Sequence, residues 1–536
     1  MRQTWCRATL LIGAVCSLVA SAESQDGVTV RLPVQSDAWI EPRGIAGALM
    51  LDGGEGTPDV ILNRFVKLAG DDKARVVIVD PQAGARTSSG RLRKRKIESV
   101  AIFKEGVQGE FLDAVQHATG VWFDGSVSKP TIDSDKSRKI WQAVNQLLRR
   151  GGVVRLHAEA TAAAGVRTLG NTRGGAQLGL LPDAIVVPKF EESTSKPALL
   201  EALSGNPGLV GFGIDEETAL VVNGRLMQVV GNGNVNVFLS GSSDRPVYEH
   251  AVEHLGFADL TALRRAARAR TLPTFPPNKP GAPNVPAGTL VVVGGGALPD
   301  VVTERFLHLA GGRGALIVVL PTAIPELMSS QIRVPQFLSD AGATNVRVLK
   351  ARRREDVESD EFLDVLNMAD AIWFTGGRQW RIVDAYEGTK AFPAIRGVLE
   401  RGGVIGGSSA GASIQAEYLA RGNPLGNADI MAEGYERGFA FLPGTAVDQH
   451  FSQRNRFADM LMLVKRFPQL LGIGIDESTA LIVRQHHGEV LGAGSVYFYD
   501  SGAASQTGEP AVLQVEGGGV YDLIERRAVE PLATAE

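Results

Sequence analysis

The feature that most constrains this chain is an internal repeat. Residues 47–70, GALMLDGGEGTPDVILNRFVKLAG, align without gaps on residues 288–311, GTLVVVGGGALPDVVTERFLHLAG, matching Asp59 to Asp300, Arg64 to Arg305 and Phe65 to Phe306. The correspondence continues from 109–125 to 360–376, from 149–154 to 400–405 and from 211–222 to 472–483. A unit of roughly two hundred residues is far longer than a solenoid repeat, so the pattern predicts two homologous domains, 44–270 and 288–525. Residues 271–287 between them are rich in proline, which pre-sets extended backbone and removes hydrogen-bond donors; this segment reads as a linker. With 536 residues, of which 44% are hydrophobic, the chain has enough apolar surface to build two such cores.

Each unit alternates strand and helix patterns. TLVVVGG is a short β-branched run ending in glycines, and PDVVTERFLHLAG places Val302, Phe306 and Leu309 at helical spacing before a glycine stop. ALIVVLPTA, NVRVL, AIWFTGG, GGVIGGS and ALIV continue the series. The expected fold is α/β, with each domain a mostly parallel sheet flanked by helices. Ligands bind such sheets at the C-terminal ends of the strands, which here run into the glycine-rich turns GGGALPD, FTGGRQ and GGSSAGAS.

Charge and the N-terminus set further bounds. Fifty-five Lys and Arg against 59 Asp and Glu give a net charge of -4, without the positive field that non-specific nucleic-acid binding requires. The basic run RLRKRK at 91–96 reads as a solvated loop. Arg2 and Arg7, the apolar run ATLLIGAVCSLVA and the small residues Ala20, Ser21 and Ala22 have the form of a secretory signal peptide over 1–22, too short to span a bilayer. The expectation is a secreted protein, periplasmic or extracellular, with no membrane association after cleavage. Both cysteines, Cys6 and Cys16, fall in that segment, so no disulfide or Cys-ligated metal is expected in the mature chain; nor is there an H-E-x-x-H motif or clustered Cys/His site. No cofactor and no metal is predicted.

In GGVIGGSSAGAS (402–413), Gly407, Ser409 and Gly411 spell G-x-S-x-G after an apolar strand and before the helix-compatible ASIQAEYLA. That context suits a nucleophile elbow, with Ser409 on a sharp turn and the Ala410 N–H as an oxyanion donor. The pattern alone also fits an ordinary structural turn. A nucleophilic serine needs a base and an orienting acid. His450, in VDQHFSQRNRF, and Glu477, in GIGIDESTA, are the candidates. The other repeat supplies a comparison: Ala158 stands where Ser409 does, Lys189 where His450 does and Glu216 where Glu477 does. The first copy has lost two of the three groups while keeping its fold pattern, as an inactive duplicate would.

The second domain resembles the cyanophycinase family of serine peptidases. GSSAGA, FTGGRQ, DQHFSQRNRF and GIGIDEST match the family's motifs in order, across about the whole of 288–500. The resemblance implies that Ser409 is the nucleophile, His450 the general base and acid, and Glu477 the orienting carboxylate, with a Gly376 or Gly377 N–H joining Ala410 in the oxyanion hole. It implies a substrate pocket lined by Gln379, Asp448, Gln449, Arg454 and Arg456. It also implies hydrolysis of cyanophycin, a poly-aspartate carrying arginine in isopeptide linkage, with release of β-Asp-Arg dipeptides. In that pocket Arg454 and Arg456 would grip carboxylates and Asp448 a guanidinium. Two positions depart from the family pattern: Asp459, where an arginine is usual, and Arg378, where an acid is more frequent. They leave open an Asp-specific or isoaspartyl dipeptidase on the same fold. A non-catalytic secreted binding protein is the alternative from another class. The tandem arrangement further suggests that the first domain replaces the partner of a family homodimer, a pseudo-dimer within one chain.

Overall fold

The β-branched runs form strands and the amphipathic stretches form helices over the residues that a computed structural model of the chain describes. These are residues 40–530 other than 55, 80–87, 93, 104–108, 124–134, 168, 170–177, 330 and 503–508; the expected signal segment 1–22 lies outside them. In the second half, strand Val285–Val293 is central to a nine-stranded sheet. On one side it pairs in parallel with Val404–Ser408, followed by Ala371–Phe374, Ile317–Leu320 and Val346–Val348, also parallel. On the other side antiparallel strands extend it, beginning with Thr479–Gln485 and His487–Gly492. A second sheet of five strands contains Leu442–Gln449 and Leu471–Ile475 side by side in parallel. The parallel core follows the expected pattern. What strand alternation did not convey is that each half has two sheets and ends in antiparallel hairpins.

The first half repeats the order. Its eight-stranded sheet centres on Ala48–Asp52, parallel to Val153–His157 on one side and antiparallel to Thr218–Asn223 on the other. Helix Asp300–Leu309 buries Val302, Phe306 and Leu307, and Phe306 meets Trp373 edge-on at 5.0 Å. Phe65 meets Trp122 in the same way at 5.4 Å in the first half. Burying such a phenylalanine contributes about 1.5–3 kcal/mol, so both copies keep the same helix-on-sheet anchor.

The proline-rich segment is held rather than loose. Phe275 is buried, stacks on Tyr418 at 6.0 Å and lies under the Arg437 guanidinium at 4.1 Å, while Gln469 Nε2 donates to the Pro277 carbonyl at 3.3 Å. The next strand starts at Val285, inside the span expected to be linker. The two halves also touch each other directly through ion pairs. Arg225 meets Asp384 at 2.6 Å, Arg245 meets Glu436 at 2.7 Å, Arg270 meets Glu433 at 2.7 Å, and Arg265 meets Glu387. Arg225 also donates to the Tyr435 hydroxyl at 2.9 Å. Burial works to lower the Arg225 guanidinium's pKa, but Tyr435, Asp384 and Asp259 outweigh it and hold the group firmly protonated. No helix among the described residues is long and apolar enough to cross a membrane.

Candidate active site

Ser409 sits where strand Val404–Ser408 ends, at φ 56° and ψ −112°, with its N–H donating to the Val293 carbonyl at 3.0 Å. Two glycines make this turn possible. A Cβ on Gly407 would come within 2.9 Å of the Gly411 Cα and closer still to its carbonyl, and a Cβ on Gly411 would collide with Phe374 backbone. The helix that follows is only Ala410–Ser413, and Ala416–Tyr418 is a strand pairing in parallel with Leu442–Gln449. The ASIQAEYLA segment therefore does not continue as a helix. Its apolar positions are used by the second sheet, which competes successfully with helix propensity.

His450 lies just past strand Leu442–Gln449, at φ 51°, with its N–H bonded to the Gly294 carbonyl at 2.7 Å. Its Nε2 is 2.9 Å from Ser409 Oγ and its Nδ1 2.5 Å from Glu477 Oε1. The imidazole lies against Gly295, where a Cβ would stand 2.6 Å from Nε2. Glu477 is positioned by its neighbours. Asp476 Oδ1 accepts the Ser452 N–H at 2.9 Å, Oδ2 accepts that of Ser495 at 3.2 Å, and the Glu477 N–H donates to Gln453 Oε1 at 2.9 Å. Burial pushes the His450 pKa below the usual histidine value. The Glu477 hydrogen bond opposes this, and the nearby Arg454 charge reinforces it. The ring is thus neutral at pH 7 and able to accept a proton from the serine.

The Gly376–Gly377 turn abuts the serine: a Cβ on Gly376 would be 3.4 Å from Ser409 Cβ and 4.0 Å from Oγ. Neither glycine's N–H has a backbone partner among the described residues. A serine, an imidazole and a carboxylate in relay, beside unengaged backbone N–H groups, can carry out acyl transfer.

The model of peptidase family S51 matches residues 290–491. The chain is 34% identical over 240 residues to the cyanophycinase of Geminocystis herdmanii, covering 44% of this chain and 88% of that one. It is 33% identical over 243 residues to the cyanophycinase of Trichormus variabilis, covering 44% and 81%. The chain belongs to peptidase family S51. It is a serine-type peptidase of that family. Among solved structures, a peptidase from an acI-B1 Actinobacterium is 24% identical over 44% of this chain and 97% of that chain, with a TM-score of 0.33.

The residues expected to line a substrate pocket divide into two groups. Gln449 reaches the site, its Oε1 3.4 Å from Ser409 Oγ, and Arg454 is exposed close enough to His450 to affect its charge. Asp448, Arg456 and Gln379 point inward instead. Asp448 is fully buried and receives Arg421 Nε at 3.0 Å on each oxygen and Arg456 Nη1 at 2.7 Å. Arg456 also donates to the Gln449 carbonyl at 2.6 Å, and Gln379 Nε2 to that of Ala420 at 2.6 Å. The expectation that Asp448 would hold a substrate guanidinium is therefore corrected: protein guanidinium groups take its acceptor sites. Arg456 is buried, and its Nη1 is taken up by Asp448 and the Gln449 carbonyl, so this end of the guanidinium supports the strand under Gln449.

Arg421 was missed by sequence reading, and it explains one of the two departures. Its Nη2 also meets Asp459 at 2.6 Å, so the partly exposed Asp459 extends the buried Arg421–Asp448–Arg456 network to the surface. Only its φ of 60°, invisible in the sequence, sets Arg421 apart locally. Arg378 is engaged by the carbonyls of Asn423 and Gly426, so this second departure ties down the 423–426 loop.

In the first half, Ala158 occupies the elbow at φ 50° and ψ −119°. Lys189 takes the place of His450 at φ 48°, and a Cβ on Gly54 would sit 3.0 Å from Lys189 Cε and 3.1 Å from Ala158 Cβ. Glu216 is exposed. Beneath the elbow lies a group with no counterpart in the other half, a fully buried Asp52–Arg155 ion pair with the Arg155 guanidinium 3.7 Å from the Trp122 ring centre. Burial works to raise the Asp52 carboxyl, but Arg155 and His157 outweigh it and hold it below the ordinary carboxylate range.

Proposed function

We propose that this chain is a secreted exopeptidase that hydrolyses cyanophycin to β-Asp-Arg dipeptides in its second half. The observation that carries the reading is the relay from Ser409 Oγ through His450 to Glu477, at 2.9 Å and 2.5 Å, in a family S51 chain with relatives named cyanophycinase. In the proposed reaction His450 takes the Ser409 proton and Oγ attacks the backbone carbonyl carbon. The N–H groups of Ala410 and of Gly376 or Gly377 stabilise the oxyanion, with each donor contributing roughly 3 kcal/mol. The leaving amine departs with the proton held by His450. Water, deprotonated by the same ring, then releases the acyl group. No step in this scheme needs a metal or cofactor.

Arg454 is the side chain we assign to a substrate carboxylate, on the grounds of its exposure and its nearness to His450. The inward pairing of Asp448 and Arg456 supports a second reading, a dipeptidase for short aspartyl or isoaspartyl peptides, since it removes the expected guanidinium partner. The first half, in this proposal, serves as a non-catalytic partner that completes a pseudo-dimer. The deciding experiment incubates the protein and its Ser409→Ala variant with insoluble cyanophycin and with β-Asp-Arg-sized aspartyl peptides, reading products by mass spectrometry. Release of β-Asp-Arg from the polymer by the wild type alone supports the main reading. Cleavage confined to the short peptides selects the second, and no cleavage of either substrate overturns both. N-terminal sequencing of secreted protein, with a start at Glu23 expected, tests the export signal.

A further inference from the structure

Away from the relay, His486, His487 and Asp522 bring three metal-ligating atoms together, all within 4.8 Å of one another. The two imidazoles are adjacent in sequence, and residues adjacent along a strand ordinarily face opposite ways. Here the hairpin turn intervenes: Gln485 adopts φ 51°, Arg484 pairs with His487 across the turn, and the rings end up 4.1 Å apart on one side. Asp522 comes from the next strand, directly opposite His487. Its Oδ1 is fixed by the N–H groups of Ile524 at 3.0 Å and Glu525 at 2.9 Å, while its Oδ2 faces His486 Nε2 at 3.6 Å and His487 Nε2 at 3.8 Å. These separations are too long for hydrogen bonds. They are close to the distance of about 3.3 Å between two donors that share a tetrahedral ion with bonds of roughly 2.0–2.1 Å.

The repeat provides an internal control. Arg225 is at the corresponding turn of the first half: Asn223 pairs with Leu226 as Arg484 pairs with His487, and Asp259 pairs with Leu226 as Asp522 pairs with His487. One backbone bond is also duplicated, Leu260 N to Arg225 O at 2.8 Å and Leu523 N to His486 O at 2.8 Å. At the first-half position a guanidinium neutralises the carboxylate directly, with Arg225 Nε and Nη2 at 2.6 Å and 2.9 Å from Asp259. At the second-half position that built-in cation is replaced by two imidazoles held at ligand spacing around the same carboxylate.

We propose that His486, His487 and Asp522 bind a divalent transition-metal ion, zinc by the match of donor set and spacing, which does for Asp522 what the Arg225 guanidinium does for Asp259. Two imidazoles and a carboxylate suit zinc better than magnesium or calcium, which prefer all-oxygen shells. Each imidazole is about one-third exposed, at 34%, which gives the ion an entry path and room for a water as fourth ligand. The backbone bonds to Oδ1 act as the outer support that orients a ligating carboxylate. Motif reading passed over this group because the third ligand lies on a different strand.

The test uses the untagged full chain, stripped with a chelator and titrated with zinc against a chromophoric competitor. One equivalent is expected to bind and to raise the thermal midpoint. His487→Gln should weaken binding about tenfold or more, since even the loss of an outer-shell partner costs that much. His486→Arg is the decisive variant. It should abolish the zinc response yet match the thermal midpoint of the zinc-loaded wild type, because it recreates the Arg225–Asp259 pair, and peptidase activity should be unchanged. The proposal is overturned if the wild type binds no zinc, or if His486→Arg binds it as tightly as the wild type does.

Discussion

At Ser409 the backbone turns through φ 56° and ψ −112°, and at Ala158 through φ 50° and ψ −119°; only the first of these residues carries a hydroxyl. His450 and Lys189 match in the same way, at φ 51° and 48°, as do Ser478 and Glu217, at 55° and 51°. Non-glycine residues in this region each cost of order 1–3 kcal/mol. A strained elbow invites the inference that strain serves catalysis, yet the half that has alanine and lysine in place of the serine and histidine keeps all three strained positions. What holds them is the fold. The Ser409 N–H reaches the Val293 carbonyl at 3.0 Å and the Ala158 N–H reaches the Asp52 carbonyl at 3.2 Å, so in each half the turn continues the hydrogen bonding of the central strand. Strain here marks where a site can be built, and the side chains decide whether one exists.

The sharpest way to break this comparison is to exchange the side chains. Ser409→Ala should reduce peptide hydrolysis by about 10⁴-fold or more. The double change Ala158→Ser with Lys189→His, placed on the retained backbone beside Glu216, should make position 158 reactive toward a fluorophosphonate, detectable by peptide mapping. Labelling absent at 158 but present at 409 would mean that the retained elbow is not sufficient.

A second comparison concerns buried charge. Asp448 with Arg421 and Arg456 supports the half that carries the Ser409–His450–Glu477 relay, and Asp52 with Arg155 lies under the Ala158 elbow. Removing one partner of such a pair leaves an uncompensated charge, so Asp448→Asn and Asp52→Asn should each cost about 3–5 kcal/mol in chemical denaturation. Only Asp448→Asn should also lower activity in the still-folded protein, because Arg456 holds the Gln449 backbone. Equal effects on activity would remove the distinction.

Glycines give a finer test. Gly295→Ala and Gly54→Ala share a positive φ, 107° and 100°, and hence a similar backbone penalty. The new methyl meets the His450 ring in one case and the flexible end of Lys189 in the other. Gly295→Ala should therefore lower kcat by about 10²-fold or more as the imidazole is displaced, with kcat unaffected by Gly54→Ala.

The smallest expected effect is on pH dependence. A histidine whose pKa is lowered stays neutral, and able to act as a base, further into the acid range. The acid limb of kcat/KM should therefore fall below the ordinary histidine value of about 6.5. Arg454→Gln removes a neighbouring positive charge and should move that limb upward. A limb that moves down or stays fixed would show that Arg454 does not act on His450.

Much of this was legible from one-dimensional pattern. The repeat and the β-branched runs indicated two α/β halves, and the short motifs singled out Ser409, His450 and Glu477, which the fold brings within hydrogen-bond reach of one another. The pocket was less legible for a physical reason. Asp448, Gln449, Arg454 and Arg456 lie close together in sequence, but a strand followed by a 3-10 turn sends Asp448 and Arg456 inward and leaves Arg454 outside. Which way each faces depends on Arg421, a partner supplied by a separate loop. The short helix after Ser409 was hidden in a similar way, because an apolar stretch gives no sign of which of two sheets will recruit it.

The ion pairs between the halves also bear on assembly. The paired cations Arg225, Arg245, Arg265 and Arg270 all come from the first half, and the acids Asp384, Glu387, Glu433 and Glu436 all come from the second. A surface that pairs with its own copy about a twofold axis must be self-complementary, and neither of these is. Matched with their own copies, these four acids would face acids and these four arginines would face arginines. These pairs favour contact between unlike halves, so a chain cut in its proline-rich segment is expected to re-form as a one-to-one pair.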